Sequence, residues 1–256
     1  MIIIKRVLSG AIVAIIFIFT LVVLPKFAFN ILATILGIIA VFELINALDN
    51  IGYKPKKIMC YLSCLTLLFI GFKSQNIIND ILNVLFLMFL LITSINIILR
   101  KNEEDFKNIG ITLFIILYVV FLLSFVLKTF YIEVNNDKVS GCLVWFILLG
   151  SAITDMFAHI IGSNFGKHKL CPKISPNKTI EGAIGGLFGG VLSFIIFSFI
   201  LNNYFGFNIN YLLISLIGLI TSVIGQIGDL FASSIKRITK IKDFGKIMPR
   251  SWWYFR

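Results

Sequence analysis

A single carboxylate, Asp229, lies near the end of a strongly apolar run and is followed by dense positive charge. Lys and Arg make up seven of the last 21 residues, Lys236–Arg256. A hard cation such as Mg²⁺ takes carboxylate oxygens as ligands and shares its remaining positions with water and substrate phosphate. Gln226 precedes Asp229 by three residues and therefore lies on the same helix face. These residue types predict a metal-assisted phosphate chemistry at the membrane edge, with Asp229 as a metal ligand.

Two basic residues after this carboxylate, Lys236 and Arg237, are placed to neutralise a leaving pyrophosphate, as electrostatic clamps do in phosphoryl transfer. A basic run alone is ordinary for the cytoplasmic end of a membrane helix. Its combination with Asp229 and Asp243 favours the functional interpretation. Small residues such as Ser234 leave room for a ligand to approach the helix backbone.

Residues 162–182 form a second polar segment, which Pro172 and Pro176 stiffen. Its side chains offer hydrogen-bond donors to phosphate oxygens at Lys173, Ser175, Asn177, Lys178 and Thr179. Thr179 or Asn177 can also cap the next helix, whose N-terminus would then face an anion. Lys-rich loops often only touch anionic lipid, but the rigidity of Ser-Pro-Asn-Lys-Thr favours a shaped phosphate-binding loop.

Two further acids lie inside apolar sequence, where an unpaired charge is costly. Asp155 shares a helix face with His159, four residues later. This acid is either part of a polar site or one half of a structural pair inside the bundle. Glu43 has three open interpretations, namely a partner for a cation in the bundle, an interfacial position, or a site residue.

The composition predicts that membrane helices carry these residues. Hydrophobic residues make up 59% of the 256 residues and charged residues 14%, whereas soluble domains carry about 25% charged residues. The mean hydropathy is +1.00. Apolar runs predict an all-α, polytopic integral membrane protein with about eight transmembrane helices. The predicted spans are 7–24, 27–47, 58–72, 77–99, 109–127, 142–162, 180–201 and 211–231.

The distribution of positive charge predicts the orientation. Nineteen of the 23 Lys and Arg residues fall on one side of these spans, together with both termini. The positive-inside rule places that side in the cytoplasm. It also explains the net charge of +11 without nucleic-acid binding, so no nucleic-acid partner is expected.

The polar patterns divide the chain into two parts. Residues 1–149 hold helices 1–5, and residues 150–256 form a catalytic half with helices 6–8, the phosphate-binding loop and the basic C-terminal segment. Glycines recur at small-xxx-small spacing from Gly182 to Gly190. Such a ridge predicts close packing of this helix against a neighbour, which would bring the phosphate-binding loop near Asp229.

The order and spacing of the motifs in residues 155–249 resemble the phosphatidate cytidylyltransferase family, also called CDP-diacylglycerol synthase. The motifs are Asp155, Phe-Gly-Lys-His-Lys-Leu-Cys-Pro-Lys-Ile-Ser-Pro-Asn-Lys-Thr-Ile-Glu-Gly, Gln-Ile-Gly-Asp and Ser-Ser-Ile-Lys-Arg, followed by Lys242-Asp243 and Met248-Pro249. The first 150 residues resemble the family only as apolar helices.

This resemblance implies a Mg²⁺-dependent reaction of CTP with phosphatidate at the cytoplasmic face of the cell's inner (plasma) membrane. Carried over by motif, Asp229 is a metal ligand. The other implied catalytic residues are Asp155, Lys236, Arg237 and Asp243. The implied substrate-binding residues are Lys173, Ser175, Asn177, Lys178, Thr179, Gln226, Ser234 and Lys242. The expected partners are CTP, phosphatidate and membrane lipids, and a homodimer is an assembly that the sequence allows.

One departure from the family pattern follows Pro249. The family continues with Gly-His-Gly-Gly, a second metal-binding Asp and a final helix, whereas this chain has Arg-Ser-Trp-Trp-Tyr-Phe-Arg. Reading possible codons one nucleotide later restores Gly-His-Gly-Gly, so a one-base shift is our hypothesis for an apparent truncation after Pro249. The resemblance then predicts that the family's last helix is missing and that the 256-residue chain has little or no activity.

Two other function classes are alternatives to the enzyme. A small membrane transporter would use Asp155 and Glu43 as intramembrane ion sites, and it would need no cytoplasmic phosphate-binding loop. A non-catalytic membrane scaffold is the alternative that the apparent truncation suggests. The basic loop and the Lys-Arg motif count against a transporter.

Overall fold

The computed structural model describes residues 26–70, 103–131, 140–241 and 244, and most of them are helical. Five helices among these residues are long and apolar enough to cross a membrane, which confirms the predicted helical membrane fold. Their ranges are Phe27–Asp49, Phe106–Phe130, Cys142–Phe165, Ile180–Phe205 and Tyr211–Ile238. Contacts divide the chain into two compact units that meet in sequence at Gly141 and Cys142.

Three of the eight predicted spans are not among these five helices. The predictions at 7–24 and 77–99 lie outside the described residues. The prediction at 58–72 corresponds to the shorter apolar helix Lys57–Phe69. At about 1.5 Å per residue its 13 residues reach only some 20 Å, less than the roughly 30 Å of a hydrocarbon core.

The first unit is a small helical bundle. Its elements are α1 (Lys26–Asp49), α2 (Lys57–Leu65) with a 3₁₀ turn (Thr66–Phe69), and α3 (Glu103–Ile115), which continues through a π-helical turn (Ile116–Phe121) into α4 (Leu122–Phe130). The largest fully buried apolar side chains include Ile45, Leu67, Ile115 and Leu127.

One end of this bundle is closed by a buried polar contact network. The Asn30 amide nitrogen donates to the backbone oxygens of Leu68 at 3.2 Å and Ile70 at 2.6 Å. Tyr131 Oη donates to the Asn30 amide oxygen at 3.1 Å. These bonds satisfy carbonyl groups that the end of the 3₁₀ turn leaves unpaired.

Glu43 is only 5% exposed within this unit. Its Oε1 atom has no hydrogen-bond partner among the residues that the structure describes. Burial inside the unit does not fix the depth of Glu43 in the membrane, so the choice among its three interpretations stays a prediction.

The second unit contains three long helices and a β-hairpin. Its elements are α5 (Ser140–Phe165), β1 (Lys169–Cys171), β2 (Ser175–Thr179), α6 (Ile180–Phe205) and α7 (Tyr211–Ile238). Gly206, with φ of 69°, ends α6 in the left-handed conformation that glycine adopts without steric cost. The Asn210 side chain then caps α7 by accepting hydrogen bonds from Leu212 N and Leu213 N at 2.9 and 3.3 Å.

The predicted glycine ridge forms the centre of the three-helix packing. Gly182, Gly185, Gly186, Gly189 and Gly190 are all buried in α6. A Cβ atom added at Gly186 would lie 3.0 Å from Ala158 Cβ of α5 and 3.0 Å from Gln226 Nε2 of α7. The glycines therefore allow α6 to approach both neighbours, which confirms the predicted packing role.

Candidate functional site: a basic hairpin at the end of two membrane helices

The hairpin follows the end of α5, in the segment for which the sequence predicts a phosphate-binding loop stiffened by Pro172 and Pro176. Its strands pair antiparallel, with Lys169 opposite Thr179 and Cys171 opposite Ser175. Pro176 fits within β2 because both strands of a two-stranded sheet are edges, where a missing backbone N–H is tolerated. The predicted stiff loop is therefore a short hairpin.

The last residue of the hairpin starts α6. Thr179 Oγ1 accepts a hydrogen bond from Gly182 N at 3.1 Å, so the predicted cap is confirmed for Thr179. A Cβ atom added at Gly162 of α5 would lie 2.9 Å from the same oxygen. The capping residue is thus enclosed between the end of α5 and the start of α6, and it fixes where the hairpin leaves the bundle.

A second tether holds the other end of the hairpin. His168 Nδ1 lies 2.7 Å from Glu181 Oε1, and His168 N donates to the same oxygen at 3.2 Å. The Ile180 backbone N–H donates to the His168 backbone oxygen at 2.9 Å. Glu181 lies in the first turn of α6, where a negative charge interacts favourably with the helix dipole.

An ion pair connects the hairpin to α7. Lys178 Nζ lies 2.5 Å from Asp229 Oδ2, and the two side chains are 28% and 16% exposed. The ion pair is therefore partly shielded from water, whereas a fully exposed ion pair contributes little to stability. This contact brings the predicted phosphate-binding segment to the predicted metal ligand.

The end of α7 contacts the hairpin at a second point. Arg237 Nε donates to the Ile174 backbone oxygen at 3.1 Å. Lys236, the preceding residue, places its Nζ atom 5.9 Å from the centre of the Phe244 ring. Two consecutive cations at the end of α7 thus have different neighbours.

Polar side chains join the three helices of the second unit near the candidate site. Gln226 Nε2 donates to the Ala183 backbone oxygen at 3.1 Å, which joins α7 to the start of α6. Deeper in the bundle, Thr154 Oγ1 of α5 lies 3.0 Å from Ser222 Oγ of α7. Asp155, the residue after Thr154, is half-buried. The two contacts therefore connect the three helices that carry the candidate residues.

The arrangement concentrates positive charge around one carboxylate at the end of two apolar helices. The side chains of Lys173 and Arg237 are exposed, and Lys178 is half-buried against Asp229. Such a surface attracts polyanions, and the carboxylate retains one group suited to a hard cation. Within the described ranges, no cluster of three or more His, Cys, Asp or Glu residues has the arrangement of a metal site.

Comparison with known proteins identifies the family. The cytidylyltransferase family model matches residues 4–250. The chain belongs to the cytidylyltransferase family. It is 31% identical over 255 residues to a phosphatidate cytidylyltransferase of Bacillus subtilis, in an alignment that covers 96% of this chain and 88% of that protein.

Staphylococcal relatives align over a shorter part of the chain. A phosphatidate cytidylyltransferase of Staphylococcus haemolyticus is 38% identical over 152 residues, which cover 59% of this chain and 54% of that protein. One from Staphylococcus aureus is 36% identical over the same length. These matches confirm the predicted family and a nucleotidyltransferase enzyme, and the apolar helices make it a membrane protein.

In this cytidylyltransferase, the structure brings some of the predicted site residues together. Lys178 contacts Asp229, Arg237 contacts the hairpin, and Gln226 joins α7 to α6. Ser175 is half-buried beside Ile174, and Asn177 is exposed on β2. These positions are compatible with the predicted roles, which stay predictions.

Other predicted residues are engaged elsewhere or lie outside the described part of the chain. Ser234 Oγ donates to the Leu230 backbone oxygen of its own helix at 3.0 Å. Thr179 uses its hydroxyl oxygen as a helix cap. Lys242, Asp243 and the departure after Pro249 lie outside the described residues, so the predicted interruption there stays a prediction.

Two contacts that build the site were not predicted. The His168–Glu181 pair has a sequence signal, because a basic and an acidic residue flank the hairpin that places them together. The contact of Arg237 with Ile174 has none, because its acceptor is a backbone carbonyl group that every residue carries.

Proposed function

We propose that this cytidylyltransferase transfers the cytidylyl group of CTP to phosphatidate. A phosphatidate oxygen attacks the α-phosphorus of CTP, the bond from that phosphorus to the bridging oxygen of the β-phosphate breaks, and pyrophosphate leaves. The product is CDP-diacylglycerol. The Lys178–Asp229 contact carries the proposal because it joins a basic hairpin to a carboxylate at the end of apolar helices. The names of the relatives supply phosphatidate and the cytidylyl group that is transferred, and CTP is the donor that we propose for this group.

The proposed chemistry requires two polyanions to come together at the membrane surface. Lys173 and Lys178 of the hairpin and Lys236 at the end of α7 supply positive charge that reduces their mutual repulsion. The hairpin is held at its base by His168 and Lys178 and at its turn by Arg237, so its charges are positioned before the substrates bind. Positioning of this kind accounts for much of the catalysis of phosphoryl transfer.

Asp229 is the proposed protein ligand of Mg²⁺. Its carboxylate already pairs with a cation, Lys178, so its surroundings suit a positive charge. Mg²⁺ commonly takes one or two protein carboxylates and completes its shell with water and substrate phosphates, so it does not require the cluster of three or more ligands that is absent among the described residues. When bound, the ion would supply charge neutralisation at the reacting phosphates. The role of Lys178 would then be to leave Asp229 and contact a phosphate oxygen.

The proposed location is the cytoplasmic face of the plasma membrane. Asp229 follows the apolar part of α7, and the hairpin and the end of α7 contain much of the positive charge of the second unit. The positive-inside rule places these segments and both termini in the cytoplasm, where CTP is available. Phosphatidate would arrive laterally from the bilayer, so its phosphate and the nucleotide would meet at one membrane surface.

The test is an assay of purified protein in lipid nanodiscs with CTP labelled at the α-phosphate, phosphatidate and Mg²⁺. We expect the label to enter the lipid fraction, and the D229N variant to lose about a thousandfold in rate. The matched control is D49N, because Asp49 is a partly exposed carboxylate that pairs with Lys57 in the first unit. D49N should keep its activity.

Two forms of the chain make the assay decisive. One is the 256-residue chain, and the other has the family's pattern restored after Pro249. Labelled lipid from either form, lost in its D229N variant, supports the proposal. Absence of labelled lipid from both forms, or full activity of D229N, would overturn it.

A further inference from the structure

We propose that Arg237 is a positioning residue that holds the tip of the hairpin against α7, rather than a residue that acts through its charge on substrate phosphate. The observation is the hydrogen bond from Arg237 Nε to the Ile174 backbone oxygen, at 3.1 Å. The inference goes beyond the proposed function because it assigns this role to Arg237. Of its two tests below, only the measurement of enzymatic activity rests on that function.

The two contacts between the hairpin and α7 agree in spacing. Asp229 and Arg237 are eight residues apart on a helix, which is about 12 Å at 1.5 Å per residue. Ile174, at the end of the turn, and Lys178 in β2 are four residues apart, which is about 13 Å along an extended chain at 3.3 Å per residue. The strand therefore lies along the last turns of α7 and runs in the opposite direction, with one contact near each end.

Long side chains, rather than backbone packing, make this connection. The backbone of the hairpin packs against α6. Between the hairpin and α7, the Lys178 side chain extends from the hairpin to Asp229, and the Arg237 side chain extends from α7 to Ile174. Loss of one of these side chains should consequently release one end of the strand and leave the helix bundle intact.

The position of Ile174 explains why this contact matters for the site. Its neighbours in sequence are Lys173 and Ser175, two of the proposed phosphate-binding residues. The ion pair at Lys178 holds the base of β2, whereas the Arg237 bond holds the turn that carries these two residues. Arg237 thus determines where Lys173 and Ser175 lie relative to Asp229.

Three substitutions distinguish this role from a charge on phosphate. In Arg237→Gln, the amide nitrogen takes the place of the arginine Nε atom, so the donor is kept and the charge is lost. Arg237→Lys keeps the charge and has a methylene group at that place. Arg237→Met has neither donor nor charge. Lys240→Gln is the control for loss of one exposed positive charge near the end of α7.

The first measurement needs no enzymatic activity. Trypsin cleaves after Lys173 at the hairpin tip, and its rate in the folded 256-residue protein in detergent can be followed by mass spectrometry. We expect R237Q and K240Q to be cleaved within about twofold of the wild-type rate, and R237M about tenfold faster, because release of one tether increases local opening. R237K should resemble R237M more than R237Q.

The second measurement is kcat/KM for CTP in whichever form of the chain is active. The positioning role predicts the same order, with R237Q closest to wild type and a loss of about tenfold in R237M. If R237K keeps its protection and activity while R237Q loses both, the charge is what matters and the proposal is wrong. Equal cleavage of all variants would also overturn it.

The outcomes separate this inference from the proposed function. If no form converts CTP, the cytidylyl transfer proposal fails, and the order of trypsin cleavage still decides the role of Arg237. If R237M does not fold, the comparison of R237Q with R237K, both monodisperse by size exclusion, carries the decision.

Discussion

At the scale of single residues, the contact between Lys178 and Asp229 implies competition between a lysine and a metal ion. The ammonium group lies 2.5 Å from the carboxylate that we propose as a Mg²⁺ ligand. Two cations do not share one carboxylate oxygen at such distances without strong repulsion. A divalent ion bound to the same oxygen would displace Lys178, which would then be available for the phosphate that accompanies the ion.

The K178M variant should consequently change metal and nucleotide binding in opposite directions. Without nucleotide, we expect Mn²⁺ to bind several-fold more tightly, because Asp229 has lost its competing cation. CTP should bind more weakly, because one phosphate contact is gone. Electron paramagnetic resonance measures free Mn²⁺, and equilibrium dialysis measures CTP.

Lys173 provides the matched control for this prediction. It belongs to the same hairpin and is exposed, so K173M should weaken CTP binding without a change in Mn²⁺ affinity. Unchanged Mn²⁺ affinity in K178M would show that the ion pair does not compete with the metal ion.

At the scale of elements, the start of α6 depends on a single hydroxyl group. Thr179 is 5% exposed and caps the helix through Gly182 N. T179V keeps the shape and removes the acceptor, so we expect a loss of about 1 kcal/mol in the free energy of unfolding. T179S keeps the acceptor and should lose less. Denaturant unfolding in mixed micelles measures both, and equal stabilities of the two variants would argue against the cap.

The glycine ridge makes a second prediction at this scale. A Cβ atom at Gly190 would collide with Ser222 Oγ and lie 2.5 Å from Thr154 Oγ1. G190A should therefore lower the thermal midpoint by about 5 °C, as overpacking costs roughly 1–3 kcal/mol. In G225A the added atom has no neighbour within 4 Å, so stability should be unchanged or slightly higher. Light-scattering or intrinsic fluorescence during heating compares the two variants.

The elements also show what the sequence alone could specify. Apolar runs predicted the spans 27–47, 180–201 and 211–231, and each lies within an observed helix, because lipid-facing helices require uninterrupted apolar sequence. The hairpin was not predicted, since its strands are held by contacts with α5, α6 and α7 rather than by local propensity. The third span, 58–72, corresponds to a helix that ends at Phe69, because apolar composition alone does not reveal the last helical residue.

The same reasoning applies to the candidate site. Asp229, Lys178 and Gln226 carried recognisable chemistry and spacing, and the structure places all three in contacts between elements. The role of Arg237 was harder to predict, because a basic residue after an acid suggests a phosphate contact. Only the fold shows that its Nε atom points to a backbone carbonyl group.

At the scale of the whole molecule, labelling of a single cysteine can determine the orientation of the protein in the membrane. Cys60 and Cys64 are fully buried in α2, and Cys142 is half-buried in α5. Cys171 is half-buried as well, but it lies in the hairpin, outside the apolar helices where an impermeant reagent does not reach. A membrane-impermeant maleimide should therefore react mainly at Cys171, and only from the side that the hairpin faces.

We expect this reagent to label the wild-type chain in inverted membrane vesicles and to leave it unlabelled in right-side-out vesicles. The charge distribution is the physical reason, because positively charged segments are retained in the cytoplasm. Cys171 lies in such a segment, which contains Lys167, Lys169, Lys173 and Lys178. C171S should abolish the labelling, which assigns the signal to this thiol. Labelling of Cys171 in right-side-out vesicles would place the hairpin on the outer face, away from CTP, and would contradict the proposed cytidylyl transfer together with the orientation.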